Sequence, residues 1–414
     1  MKRIMGVSLG AVAALTACGE PVRPGEELPT EVGGAPSALI AGVPTVVMSG
    51  LDNPRGLAFG PEGALYVAEA GRGGAGPCIG VFCYGPTGAV TRLWNGVQER
   101  VATGLPSLAG PNGVAQAGPN DIAFLGVGPS DELPIFRVPW LWGAHLTIGL
   151  QTNPANRALL GEVGNRFGRL VQLLPNGGLR YVNDVAAYEA AFNPDGRLNA
   201  DGTPNFDSNP YGLLAVPSGH IVTEAGGNAL LHVHAGGQIS LLATFHSRGS
   251  SPPRPSFAPL PFDQFTDAVP TSVVIGPDGA YYVAELTGVP FTDTRANIYR
   301  VVPGEPPRLF LIEDACVSGF KAIMDIAFDE AGNLYVLQHS TGALQQTGPG
   351  ILIRITPDPS QTDMCARYRA ETPAIVLGGL VFPTSVTIGP DGALYVTNKG
   401  RSVGTGEVLR LDPP

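Results

Sequence analysis

Charge is sparse in this chain, and neither sign is concentrated. Only 14% of the 414 residues are charged, 25 basic against 35 acidic, for a formal net charge of −10. The basic residues are scattered with no run or stripe, which excludes the electrostatic footprint of a nucleic-acid-binding surface. Long apolar runs are missing too. Beyond the first residues, no stretch reaches membrane length without glycine or proline. Histidine is limited to six residues, and His145, His220, His246 and His339 form no recognisable motif. Gly-x-Ser-x-Gly, His-Glu-x-x-His and phosphate-cradling glycine loops are absent, which removes the common hydrolase, zinc-protease and nucleotide-binding signatures. Glycine and proline, by contrast, are abundant at 57 and 40 residues, and both punctuate turns.

The first residues read as a bacterial lipoprotein signal. Lys2 and Arg3 supply the positive segment and Ile4 to Ala14 a short apolar one. Leu15-Thr16-Ala17-Cys18 then offers small residues followed at once by cysteine. Similarity to bacterial lipoboxes implies cleavage after residue 17 and lipidation of Cys18, so the chain is expected in the cell envelope, periplasmic or at the outer membrane. An ordinary secretory signal ending near a cysteine is the other reading. Residues 18–44 hold five prolines among glycine and glutamate and are expected to be a flexible tether. The domain proper then covers 45–414.

Four further cysteines remain, Cys78, Cys83, Cys316 and Cys365, and four thiols allow three pairings. Cys78 and Cys83 flank Ile79-Gly-Val-Phe82 in a Gly-rich loop that a local bridge would pin. That leaves Cys316 with Cys365, closing a loop of about 50 residues worth about 4 kcal/mol in chain entropy. A metal site is the rival reading, although no histidine lies near either pair in sequence.

One unit recurs plainly. Pro54 to Glu69 returns as Pro270 to Glu285 and again as Pro383 to Asn398, with weaker copies beginning at Pro119, Pro210 and Ile323. Each copy is an apolar run, a Pro-Asp-Gly type turn and a second run rich in Tyr and Val, the pattern of two antiparallel strands joined tightly. The turn glycines or their equivalents are Gly63, Gly128, Gly219, Gly279, Gly332 and Gly392, far enough apart for four strands per unit. Six four-stranded units repeated radially predict an all-β, six-bladed propeller. The last unit ends after its third strand. Thr45 to Leu51 mimics Ala374 to Leu380, the fourth strand of the fifth unit, so the N-terminal strand is expected to complete the last blade and close the ring.

Blade two is irregular. Residues 129–142, with Trp140 and Trp142, look inserted between its first two strands. Asp184 to Phe192 reads as a short capped helix. The Asp- and Asn-rich loop after it carries oxygen donors from Asn199 to Asp207, but Arg197 and Ser208 stand where an EF-hand needs carboxylates. Gly50-Leu-Asp-Asn-Pro-Arg-Gly-Leu57, the helix segment Ala186 to Ala190, the Asn193-Pro-Asp-Gly196 turn and Asp207-Ser-Asn-Pro-Tyr-Gly212 together resemble the ScyD/ScyE family. These are exported NHL-like propellers named for their place in cyanobacterial pigment clusters. The resemblance spans roughly residues 45–414 and implies fold and compartment rather than mechanism.

Candidate site residues follow from the repeat columns. The residue after each repeat proline, or its equivalent, is Arg55, Asn120, Tyr211, Thr271, Met324 or Thr384. Gluconolactonase-type propellers are similar here and carry metal-binding Asn and Asp in this column. Only Asn120 matches, while Arg55 and Met324 oppose a cation. The next column is Gly56, Asp121, Gly212, Ser272, Asp325 and Ser385. Blades two and five lie opposite in a six-fold ring, so Asp121 and Asp325 should face each other across the channel and are the candidate metal ligands. Glu69, Glu224 and Glu285 end second strands and add acid near the axis, and calcium is the candidate cofactor. The alternative is that these acids hydrogen-bond inter-blade backbone or pair with the third-strand arginines. His232 and His234 share a strand face, but His232 falls in the polar column of Arg92, Gln172, Arg300, Arg354 and Arg410, which points to structure. The expected function is a monomeric binding scaffold for a small molecule or an envelope protein, membrane-attached only through its lipid. The alternative is a small-molecule hydrolase, lactonase or isomerase with a divalent metal at the channel mouth.

Overall fold

The structure, a computed structural model, describes residues 42–125, 143–199, 201–245, 267–288, 296–310, 320–342, 348–369 and 373–412. The signal and tether, Cys18, Cys316, the Cys365 side chain and the segment with Trp140 and Trp142 lie outside the described residues. Six antiparallel sheets follow one another along the chain. Their first strands are Pro54–Phe59, Pro119–Phe124, Pro210–Val216, Pro270–Ile275, Ile323–Phe328 and Val386–Ile388. Three further strands complete five of the sheets, blade one has more, and the ring closes as expected. Thr45–Leu51 pairs antiparallel with Gly406–Leu411, Thr45 opposite Arg410 and Leu51 opposite Gly406. First and last strands thereby cover each other's unpaired edges. The domain is a six-bladed β-propeller.

Blade one is larger than four strands. Phe82–Trp94 and Val97–Ala109 run thirteen residues each, and their surplus length pairs with Cys78–Ile79 and Ala115–Ala117. The Cys78–Cys83 disulfide, expected from spacing, joins directly opposed residues of this extension.

The repeat signature has a packing reason. The acid of each of these turns accepts a bond from the buried second-strand tyrosine and, in two blades, also bonds the third-strand arginine. Asp278 takes the Tyr282 hydroxyl at 3.2 Å and Arg300 Nε at 2.6 Å, and Asp391 takes Tyr395 at 3.1 Å and Arg410 Nε at 3.0 Å. Tyr66 bonds Glu62 and Tyr335 bonds Asp329 in the same way. In blade one the third-strand Arg92 pairs instead with Glu99. Gly63 and Gly279 sit at φ 81° and 78°, a left-handed conformation that a side chain would strain.

Antiparallel alternation sorts the connections onto two faces. Turns between first and second strands are tight in five blades, whereas the longest described connections leave a second or a fourth strand, at residues 149–168 and 185–209. The long ones share one face, where binding usually sits. The capped helix is present as Val185–Phe192, with Asp184 accepting from Ala187 N at 2.9 Å. No helix among the described residues is long and apolar enough to cross a membrane.

Candidate functional site at the channel mouth

The first strand of each blade begins with an irregularity. Register shifts follow Pro54, Pro119, Pro210, Pro270 and Ile323, each within the next two or three residues. A β-bulge re-aims side chains and relaxes the ladder locally. Recurring in five blades, it places the two repeat columns at the inner rim beneath the long loops.

Asp325 is the better-held of the two column aspartates. Its Oδ1 accepts from Ser272 Oγ at 2.6 Å and Ile326 N at 2.9 Å, and its Oδ2 from Ser385 Oγ at 2.6 Å and Val386 N at 2.9 Å. Blades four, five and six are stitched through this one carboxylate, and Leu57 N extends the stitch to blade one by donating to Ser385 Oγ at 3.2 Å. Asp121 has only two donors, Ile122 N and Leu213 N, both at 2.8 Å. Its neighbours in the column are glycines, and a Cβ built on Gly56 would lie 1.9 Å from Asp121 Oδ1. Burial pushes the Asp121 carboxyl well above the usual carboxylate range, and the charge of Asp325 adds to the shift. Burial also raises Asp325, while its four donors pull it back. Burial and the charge of Asp325 thus disfavour ionisation of Asp121, whereas four donors partly offset the burial of Asp325.

The preceding column does two jobs. Asn120 Nδ2 donates to Pro210 O at 3.0 Å and Asn209 Oδ1 at 3.2 Å, Thr271 Oγ1 to Ile323 O at 3.0 Å, and Thr384 Oγ1 to Pro54 O at 2.8 Å. Each ties its strand to the next blade. Met324 is buried. Arg55 and Tyr211 differ. Arg55 donates to Ala115 O at 3.1 Å, but its buried Nε finds no acceptor. Tyr211 is raised by burial, with the Arg55 charge opposing the shift and Asp121 and Asp325 adding to it. Its hydroxyl completes no well-formed hydrogen bond.

Two residues that the repeat columns miss converge on the same rim. Arg401 lies over the Phe382 ring at 5.3 Å, and the Arg55 charge together with burial lowers its pKa. His339 is tilted against Phe382 at 5.1 Å and bonds Pro383 O through Nδ1 at 2.9 Å. Burial pushes it down to about 4, and Arg55 and Arg401 contribute, so it is neutral at pH 7. Both residues sit just after second strands, where blades differ most in sequence.

The second-strand acids are held elsewhere. Glu69 accepts from Asp52 N at 2.6 Å, from Thr91, and from Arg100 Nη2 at 2.7 Å. Glu224 accepts from Ser208 Oγ at 2.5 Å, Asn209 N at 2.7 Å and Gly227 N at 2.6 Å. Glu285 binds the backbone and side chain of Asn297. Gln338 and Asn398 accept from Lys321 N and Val381 N, both at 2.7 Å. In four blades this position thus anchors the loop leading into its own first strand. His232 and His234 stack at 3.8 Å and bond Ser218 and Ser240. Among the described residues no three His, Cys, Asp or Glu side chains are placed to hold a metal.

Comparison with known proteins adds likeness in fold. No protein-family profile and no curated protein matches the chain. Among solved structures, a glucose dehydrogenase is similar over 90% of this chain and 100% of its own, at 15% identity and a TM-score of 0.48. A gluconolactonase from Xanthomonas campestris is similar over 92% and 99%, at 10% identity and 0.46. A virginiamycin B lyase from Staphylococcus aureus is similar over 88% and 96%, at 12% identity and 0.42.

Proposed function

We propose that this propeller binds a small anionic molecule bearing hydroxyl or amine donors at the loop-rich mouth of its channel. The observation that carries the reading is the arginine pair. Burial lowers the pKa of Arg401 and the nearby Arg55 charge adds to the shift, while no ion pair joins either guanidinium to a carboxylate among the described residues. Like charges held together in a chain of net negative charge are explained by a guest anion, which a guanidinium fork recognises well. Asp121, which with Arg55 acts on Tyr211, would then accept from or donate to the guest's polar groups. Calorimetric titration with a panel of small hydroxy- and amino-carboxylates tests this. Wild type should bind a member of the panel, and Arg55→Gln or Arg401→Gln should weaken it about 10- to 100-fold. Unchanged affinity in both variants refutes the site.

Turnover of the guest is the second reading, favoured by Asp121. A carboxyl whose pKa burial raises well above the usual carboxylate range, close to Tyr211, suits general acid–base work in a hydrolase, lactonase or isomerase. A channel-mouth divalent ion is less well supported, because Asn120 spends its amide on Asn209 and Pro210. The setting we propose is a lipid-anchored protein of the cell envelope, in keeping with the resemblance to ScyD/ScyE proteins of pigment or secondary-metabolite pathways. Cys18→Ser should leave unprocessed precursor or release the protein from membranes, and unchanged retention would contradict the anchor.

A further inference from the structure

A second group of acids lies away from the axis, between the helix Val185–Phe192, the loop that follows it and blade three. Glu189, on the helix, is 1% exposed, and neither of its carboxylate oxygens has a hydrogen-bond partner. Only the Asp207 N–H lies near enough to temper its charge. Asp207, at the end of the loop, also buries an unpartnered oxygen, Oδ1. The other acids around them are already matched. Glu224 has its three donors. Asp195 accepts from Arg197 N at 3.0 Å and Asn228 Nδ2 at 2.8 Å, and Asp267 from Arg197 Nη1 at 2.5 Å.

The floor of this group is shaped for close approach. A Cβ on Gly227 would lie 2.2 Å from Glu189 Oε2, and one on Gly226 would lie 2.7 Å from the Asp207 carbonyl carbon. The two glycines let both acids press on the turn that ends the second strand of blade three. Glu189, Asp195, Asp207, Glu224 and Asp267 thus lie near one another, and the Arg197 charge acts on Asp195, Asp207 and Asp267 but not on Glu189 or Glu224. A proton on Glu189 would cancel one charge, whereas a cation could satisfy all three unpartnered oxygens at once.

We propose that Glu189 and Asp207 are the protein ligands of a calcium ion that pins the loop after the helix to blade three. Three unpartnered carboxylate oxygens fit a hard cation that takes six to eight oxygen ligands and tolerates irregular geometry, with water completing the shell. Magnesium, which demands a small octahedron, fits less well. Two side chains rather than three supply the oxygens, which is why no three-residue cluster stands out. The site is separate from the channel mouth and does not depend on the ligand bound there.

The test is thermal unfolding of the full chain after chelation, with calcium or magnesium added back. Calcium should raise Tm by about 5 °C at roughly 100-fold excess over Kd, and magnesium by less. Glu189→Gln and Asp207→Asn should each abolish the calcium response, while Asp121→Asn keeps it. Two results overturn the proposal. One is a wild type indifferent to millimolar calcium, with Glu189→Gln raising Tm unaided, which means a proton neutralises the acids. The other is a calcium shift that survives in both variants, which places the ion elsewhere.

Discussion

Blades one to three and blades four to six solve the same problem around the axis in different ways. In the second half the column reads Ser272, Asp325, Ser385, and the two hydroxyls with two backbone N–H groups saturate the carboxylate. In the first half it reads Gly56, Asp121, Gly212. The glycines leave no hydroxyl to donate, and Asp121 keeps spare acceptor capacity. A carboxylate with four donors is a stitch. One with two, next to a second carboxylate, is held in a state that a ligand or a proton must complete. One repeat position thus serves structure on one side of the ring and remains available for chemistry on the other.

The largest expected effect breaks the saturated half. Asp325→Ala strands two hydroxyls and two backbone N–H groups, and should cost about 3–5 kcal/mol in urea unfolding. A cost under about 1 kcal/mol would mean that the stitch contributes little. Transplanting the serine pattern is next. Gly56→Ser would drive a Cβ against Asp121, whose Cα lies 2.7 Å from the ideal position, and overpacking of this kind costs about 1–3 kcal/mol. Ser385→Gly makes the converse change and loses the bonds to Asp325 and Leu57 N, about 1–2 kcal/mol.

Asp121→Asn should have the smallest effect on stability, and that effect should change with pH. The folded state holds the Asp121 proton well above the unfolded value of about 3.9. Between those two pH values the native state binds more protons than the unfolded one, so this group's contribution falls as pH rises. The variant should therefore unfold at lower urea than wild type near pH 4, with the gap narrowing or reversing by pH 8. A gap that widens with pH would show the opposite shift.

The ring was legible in the sequence because its determinants are local and repeated. The turn acid, the tyrosine four or six residues on and the proline of the first strand recur at matching positions, so blade count and closure by Thr45–Leu51 could be read directly. The opposition of Asp121 and Asp325 followed from six-fold geometry. The hydrogen bonds that distinguish them did not, because Ser272 and Ser385 are remote in sequence. Arg401 and His339 were missed for a related reason: both sit in loops that differ between blades, and only folding brings them beside Arg55. The Glu189 and Asp207 group was hidden more deeply, since helix, loop and blade three each contribute a part. Blade one exceeded its four strands because Phe82–Trp94 and Val97–Ala109 continue beyond the length the repeat prescribes.

The difference between the two aspartates can be measured most directly by carboxyl-carbon NMR titration, with Asp121→Asn and Asp325→Asn identifying the two signals. The signal lost in Asp121→Asn should titrate at higher pH than the signal lost in Asp325→Asn. If Asp121 instead ionises at or below about pH 4, or at lower pH than Asp325, the division between a structural half and an available half of the ring is wrong.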